Sequence, residues 1–420
     1  MLGIKDFQSV SVPFRPLLLL SIGFASLFIA TRATKRSKLL QLPFRFRKSD
    51  TIHGPDIRIS RILVYPIKVQ SFIAIFLPSL ADHAPTTKSC AGIDLQSSAY
   101  DQEGFEFDRK WMIVDLEKNK QLSARDNRGI KLVRVFPSIK RDLSSPSGGV
   151  LEVTFPDSPD TSPFSVPLNP TPEQLSTWEK HGGFDLWGFS DEGYVVESAD
   201  PNALETPSEI LTGYVGRAVL LVMQTRTPRP VDELPLDTAR LAYAGGARVR
   251  YPDCSPFLLV SEASLADAEA KVWAMARGEQ GREVAGCTPD DAAPPTGNWA
   301  APDAKRLLME RFRPNVVVRG VDEAFGEDDW QEIATADNHS FVLPMRCPRC
   351  MFPNVDTESG NRDPQMPNNA MMQYRKVEAA IPSKYCFGMY MIPAEDSGVL
   401  CLGDKVMVTR SAVNPKLLAD

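Results

Sequence analysis

The sequence predicts an α+β fold, rich in β-structure, of about two domains behind a separate N-terminal segment. Three observations carry the prediction. The 420 residues include 35 prolines and 26 glycines, which break a chain into turns and short strands rather than long helices. Short apolar or alternating runs recur through the first half with polar turns between them. Hydrophobic residues supply 43% and charged residues 24%, the balance of a chain able to bury a sizeable core.

Residues 1–50 read as a membrane-anchor or targeting segment. Residues 17–30 are apolar and uncharged, and seven cations follow: Arg32, Lys35, Arg36, Lys38, Arg45, Arg47 and Lys48. A secretory signal carries its charge before the apolar run, so this order favours an uncleaved anchor helix with the bulk of the chain in the cytosol. The run is shorter than the roughly 20 residues that span a bilayer. A cleaved mitochondrial presequence and a soluble helix are the competing readings.

The first domain is placed at 55–200. Residues 57–65 alternate and then turn apolar, as a first strand would. Residues 111–115, 132–136 and 150–155 repeat the pattern, and strands at this spacing describe a mixed or barrel-like sheet. Six prolines in 156–175 read as a long loop. The second domain is placed at 201–415. A short helix at 207–214 leads to a strand at 218–222, and 256–260 reads as a buried strand. Ser264 is expected to cap a helix running to about residue 276, with Asp267 at the capping-box position. Residues 277–301 read as a surface excursion, 316–318 as a strand and 387–409 as a final β-rich stretch.

Composition removes several functions. The net charge of -6 offers no general field for nucleic acid, and no aromatic–basic interleaving appears. The seven cysteines (Cys90, Cys254, Cys287, Cys347, Cys350, Cys386, Cys401) are scattered and odd in number, so reduced thiols are expected. With only four histidines (His53, His83, His181, His339), a multi-histidine metal site is disfavoured. No GxxxxGK or GxGxxG phosphate loop is present.

Cys350 is the candidate reactive residue. It closes Arg346-Cys347-Pro348-Arg349-Cys350, downstream of Arg311-Phe312-Arg313-Pro314-Asn315. A thiolate among arginines suits a soft metal held on a polyanionic cofactor, since guanidinium forks match phosphates. No second CxxC completes a four-thiolate zinc site. Arg346 and Arg349 are expected to favour a deprotonated Cys350. Cys347 reads as a packing thiol or one that supports the residues around Cys350, Cys90, Cys254 and Cys386 read as buried small hydrophobes, and Asp356 reads as a turn-stabilising aspartate.

Nine motifs together carry a resemblance. They are Tyr65-Pro66-Ile67-Lys68, Asp108-Arg109-Lys110-Trp111, Ser123-Ala124-Arg125, Ser255-Pro256-Phe257-Leu258, Ser261-Glu262-Ala263-Ser264-Leu265, Arg311 to Asn315, Cys347 to Cys350, Val355-Asp356 and Phe387-Gly388-Met389-Tyr390. In this order they resemble the MOSC family, and within it the amidoxime-reducing branch with its fungal relatives.

The resemblance implies a MOSC β-barrel domain beside an N-terminal MOSC-associated mixed-sheet domain, with the molybdenum cofactor (Mo-molybdopterin) between them. It implies Cys350 as the molybdenum ligand. Lys88, Ser89, Arg109, Cys254, Ser255, Arg313, Asn315, Pro348, Arg349 and Tyr390 are implied as cofactor-binding. The implied reaction is reduction of amidoximes and hydroxylamines, with electrons from NADH through cytochrome b5 reductase and cytochrome b5. The implied location is the outer mitochondrial membrane, facing the cytosol. No ferredoxin-like tail follows Thr409, which also points to an external donor. MOSC domains also end the cofactor sulfurases. The pyridoxal-phosphate aminotransferase region of those enzymes is missing here, which argues against a sulfurase but not against a cofactor or sulfur carrier.

One departure stands out. The family motif reads Tyr-Pro-x-Lys-Ser-Cys-x-Gly, but here residues 69–88 separate Lys68 from Ser89-Cys90-Ala91-Gly92. The insert opens on Val69, whose codon begins with the GT of a splice donor, so a retained intron competes with a genuine loop. Either Lys68 or Lys88 then fills the family's lysine position, and adjacency to Ser89 favours Lys88.

Overall fold

The computed structural model describes residues 55–68, 90–122, 129–186, 189–225, 229–230, 248–252, 254–278, 299, 306–379 and 381–412. The expected anchor, the 69–88 insert, Lys88, Ser89 and Ser123-Ala124-Arg125 lie outside these residues. Among the described residues no helix is long and apolar enough to cross a membrane. Gly54–Asp420 forms one compact unit, and it is β-rich, as expected.

The larger sheet runs in the order Val406–Ser411, Trp330–Thr335, Ser340–Val342, Cys386–Pro393, Phe257–Ser261, Val316–Arg319, Arg58–Val64, Ile93–Leu95, with Arg346–Pro348 also paired to Cys386–Pro393. Its centre is apolar on both faces. Phe257–Ser261 and Cys386–Pro393 are buried at every position, as strands covered on two sides must be. Phe257–Ser261 and Val316–Arg319 pair in parallel, joined through the helix Glu262–Ala276. One core, including Val260, Val317, Phe312 and Phe387, lies beneath that helix and Asn368–Tyr374. A second fills the other face with Ile62, Phe257, Leu259 and Met389. Gly388, at φ +80, could not carry a side chain there, because an added Cβ would lie 2.6 Å from the Leu259 carbonyl oxygen.

The N-terminal segment is shared between two sheets. Arg58–Val64 belongs to the larger sheet, but Ile67–Lys68 pairs with Trp111–Asp115 in a second one. In that sheet Val219–Gln224, Phe189–Val195, Lys180–Leu186, Lys120–Gln121 and Trp111–Asp115 follow one another, and Val219–Gln224 pairs back to Trp111–Asp115. The closed ring is a five-stranded barrel. Its strands alternate in register. Trp111 and Ile113 face the large core with Leu151, Val153 and Leu211, whereas Met112 and Val114 pack with Phe184, Leu186, Val222 and Tyr251. The proline-rich stretch is more ordered than expected. It holds the strand Phe164–Pro167, paired to Gly149–Thr154, and the helix Pro172–Thr177, capped by Thr171.

The cap of the long helix corrects a sequence expectation. Its N-cap is Ser261, whose hydroxyl accepts from the Ser264 backbone N–H at 3.1 Å, and the helix is Glu262–Ala276. Ser264 lies within the first turn. The reason is tertiary. Glu327 is fully buried and takes the Ser261 N–H at 3.1 Å, the Ser261 hydroxyl at 2.9 Å and the Ser264 hydroxyl at 2.6 Å. Burial raises the Glu327 carboxyl above its ordinary pKa of 4.5, against the opposing pull of those hydrogen bonds. The native state therefore holds this proton more tightly than the unfolded chain, and the stability it contributes is present at low pH and lost as pH rises through the raised pKa. The stability of wild type relative to Glu327→Gln should thus shrink as pH rises from about 4 to about 7, read by urea denaturation across that range. A gap that widens with pH would refute the assignment.

Candidate anion and thiol site

The site grows from the junction where the chain leaves one sheet for the other. At this point the backbone N–H of Tyr65 donates to Asp108 Oδ1 at 2.8 Å, and the Arg109 N–H donates to the Tyr65 carbonyl at 2.9 Å. The second Asp108 oxygen takes the Arg109 guanidinium. Asp108 is thereby consumed, holding Arg109 beside Tyr65. Arg109 Nη1 also reaches Asn315 Oδ1 at 3.1 Å.

Asn315 is a structural brace. Its Oδ1 accepts from the Leu258 N–H at 3.2 Å and its Nδ2 donates to the Leu63 carbonyl at 3.2 Å. The side chain so stitches Arg58–Val64, Phe257–Ser261 and the start of Val316–Arg319 together.

Arg313 is the unusual member. It is buried, donates through Nη1 to the Cys90 carbonyl at 2.9 Å, and lays its Cζ 3.8 Å from the centre of the Tyr65 ring. The Arg109 guanidinium lies 5.0 Å from the same ring. Arg313 Nη2 is sealed from solvent with no hydrogen-bond partner, and among the described residues no carboxylate pairs with Arg313. Burial, reinforced by Arg109, pulls its pKa down to about 10. Both arginines hold left-handed backbone, φ +46 for Arg109 and φ +55 for Arg313, at a cost of about 1–3 kcal/mol each. Two strained cations stacked on one ring, one lacking a counter-ion, are an arrangement that an anion would complete.

The thiol loop is tied to the same turn at two points. Arg349 Nη2 donates to the Phe312 carbonyl at 2.6 Å, and Arg311 Nη1 donates to the Pro353 carbonyl at 3.1 Å. Cys350 lies between these ties, free and buried, against Val133, Phe352 and Val355. Phe312 stacks on Phe387 with ring centres 3.8 Å apart, and Pro348 pairs with Cys386. The Ser255 hydroxyl donates to the Met391 carbonyl at 3.0 Å, and Tyr390 is buried opposite Leu258. Cys254 is half-buried beside the core. Lys68 is buried alongside Met112.

Two expectations change. Arg346 does not face Cys350: it is engaged by Asp328 at 3.0 Å, with Asp329 and Glu378 beyond, because the acidic turn packs across that strand. The sulfur that Arg349 touches is that of Cys347, from Nη1 at 3.1 Å, rather than that of Cys350. Cys347 is therefore a hydrogen-bond acceptor that supports Arg349, the second of the two roles expected of it. Burial opposes the Arg349 charge, but Cys347, Cys350 and Tyr385 outweigh it and hold its pKa above the ordinary value. Asp356 behaves as expected, accepting from the Glu358 N–H at 2.9 Å within its turn and lying 3.6 Å from Arg311.

A phosphate-bearing group with a soft metal meets matching chemistry here. Arg313 Nη2, Tyr65 Oη and Arg349 Nε are buried and orphaned, and Cys350 supplies the thiol. Tyr65 is the site member that residue type alone did not reveal, since its role rests on the ring between two guanidiniums.

Known proteins resemble the chain over this region. Residues 246–407 match the MOSC domain and residues 85–200 match the MOSC N-terminal beta barrel domain. The rat protein "Mitochondrial amidoxime reducing component 2" is 26% identical over 92% of this chain and 91% of its own length. The mouse "Mitochondrial amidoxime-reducing component 1" is 22% identical over 96% of each chain. Human "Molybdenum cofactor sulfurase" is 22% identical over 73% of this chain but 29% of its own.

A contrast of two arginines tests the missing counter-ion. Arg217 is half-buried and pairs with the buried Asp115 at 2.6 Å, so Arg217→Met should cost about 3–5 kcal/mol by leaving a buried carboxylate without its cation. Arg313→Met in the ligand-free chain should change stability by no more than about 1 kcal/mol, since no buried charge is orphaned. Denaturant unfolding of both variants reads the difference, and equal losses would contradict it.

Proposed function

Because the chain is a member of the MOSC family and carries both its N-terminal barrel domain and its MOSC domain, we propose that it is a molybdenum-cofactor-dependent oxidoreductase acting on N-hydroxylated compounds such as amidoximes and hydroxylamines. The observation that carries this reading is Arg313, buried without a carboxylate on a turn bonded through Phe312 to the loop bearing Cys350. The names of the rat and mouse relatives support the amidoxime substrate class and a mitochondrial association.

Arg313, with Arg109 beside it, would hold the cofactor's phosphate, and Cys350 would ligate its metal. When bound, the cofactor supplies a two-electron redox centre. The residues of the chain do the rest. Arg349 and Arg311 fix the thiol loop to the phosphate turn, so the two ends of the cofactor are held at one spacing. The packing of Val133, Phe352 and Val355 keeps water from Cys350. Overall, an amidoxime, two electrons and two protons give an amidine and water. The electron source in this reading is NADH through cytochrome b5 reductase and cytochrome b5. The place of action is the outer mitochondrial membrane, on its cytosolic side.

The match to the human sulfurase favours a second reading, a cofactor or sulfur carrier without reductase activity. One experiment separates them. The full chain, expressed with cofactor, is analysed for molybdenum and pterin and assayed for benzamidoxime reduction with cytochrome b5, its reductase and NADH. Turnover with near-stoichiometric metal is expected, and Cys350→Ala should abolish turnover and lower bound molybdenum by more than about tenfold. Cofactor without turnover would favour the carrier. Full turnover by the Cys350→Ala chain would overturn the assignment of that residue.

A further inference from the structure

Tyr65 is more than the residue that opens a strand. Its ring is fully buried, with the Arg313 guanidinium at 3.8 Å and the Arg109 guanidinium at 5.0 Å from the ring centre. Phenylalanine would present the same platform to both cations. The hydroxyl therefore needs its own explanation. It is sealed from solvent and has no hydrogen-bond partner. Of the carboxylates near it among the described residues, Asp108 is spent on the Tyr65 N–H and on Arg109, and Glu310 is engaged by Arg61. Gly92 adds a constraint: a Cβ there would lie 2.6 Å from the Tyr65 ring, so the backbone has been left bare to seat this side chain. Buried polar groups without partners are rare and disfavour folding unless something answers them. On the same ring, the Arg313 Nη2 is orphaned as well.

We propose that Tyr65 belongs to the anion site, its hydroxyl donating to the same phosphate as the Arg313 Nη2 while its ring fixes the two guanidiniums that flank it. The ligand class is a phosphomonoester, whose several oxygens can accept from a hydroxyl and a guanidinium at once. This rests on the cofactor-phosphate reading above. It adds a neutral donor to a site otherwise made of two cations, and it gives the left-handed backbone at both arginines a purpose: each is turned onto the tyrosine face.

The test uses the full chain loaded with cofactor, beside the same chain prepared without it. Three variants are compared with wild type: Tyr65→Phe, Tyr65→Leu and Arg313→Gln. Pterin release during dialysis is followed by fluorescence, and the thermal midpoint of the cofactor-free chain is recorded. Tyr65→Phe should release pterin about tenfold faster or more, while its cofactor-free midpoint is unchanged or raised, because only an unanswered hydroxyl has been removed. Tyr65→Leu should release it faster still, since the platform is lost too. Wild-type retention by Tyr65→Phe, with rapid loss from Arg313→Gln, would overturn the role of Tyr65 and leave the anion site standing. A lowered cofactor-free midpoint, or failure of Tyr65→Phe to fold, would make the hydroxyl structural and also overturn it. Wild type without pterin would instead overturn the cofactor reading itself.

Discussion

The site depends on a positive charge placed where water cannot reach it and no carboxylate among the described residues answers it. Arg313 is held there by the Cys90 carbonyl and the Tyr65 ring, and its burial depresses its own pKa to about 10. Such a group destabilises the chain that carries it unless a ligand compensates. Other arginines have carboxylates: Asp108 answers Arg109, Asp115 answers Arg217, and Asp328 answers Arg346 and Arg375, while the buried Arg349 rests on the Cys347 sulfur and the Phe312 carbonyl. The unanswered charge of Arg313 coincides with two arginines in left-handed backbone. Strain and uncompensated charge in one place are features that folding alone does not explain.

The thiol loop is arranged around the same turn. Arg349 and Arg311 reach across in opposite directions, one from before Cys350 and one to just after it. Because each contact ends on a backbone carbonyl, the spacing between sulfur and guanidinium is set by main chain rather than by flexible side-chain tips. Cys347 completes this by receiving the second Nη of Arg349. A guanidinium with both terminal nitrogens occupied acts mainly as a fixture, and only Nε is left without a partner. Asn315 is the same kind of residue, its amide used entirely within the sheet and on Arg109.

Much of this was legible beforehand. In the larger sheet, 57–65, 256–260, 316–318 and 387–409 stood out, whereas Trp330–Thr335 and Ser340–Val342 did not, and the two arginine clusters were marked by their neighbours. What local pattern does not carry is pairing at long range. Ser264 looks like a helix cap until Glu327, some sixty residues later, claims Ser261 and Ser264 together. Arg346 looks like a neighbour of Cys350 until the acidic turn packs over it. The prolines of 156–175 suggested an unstructured loop, yet Pro167 ends a strand and Pro172 starts a helix, both positions where a missing N–H costs little. Tyr65 was visible as a motif letter, but its place between two cations is a property of the fold.

The strand Arg58–Val64 has a consequence for how the molecule is made. It lies near the start of the described chain, but its partners in the larger sheet include Val316–Arg319, and Asn315 bonds to Leu63 across 252 residues. On a ribosome, the first strand can gain Ile93–Leu95 on one edge early, but its other edge has nothing to pair with until Val316–Arg319 emerges. The barrel, whose strands span Trp111 to Gln224, can close meanwhile, with Ile67–Lys68 already attached to it. The segment ahead of Tyr65 then waits as an open edge, exposed to wrong partners until the last third of the chain arrives. Tyr65 is the junction between what folds early and what folds late, so the arginine cluster built on it forms only after Arg313 has been made.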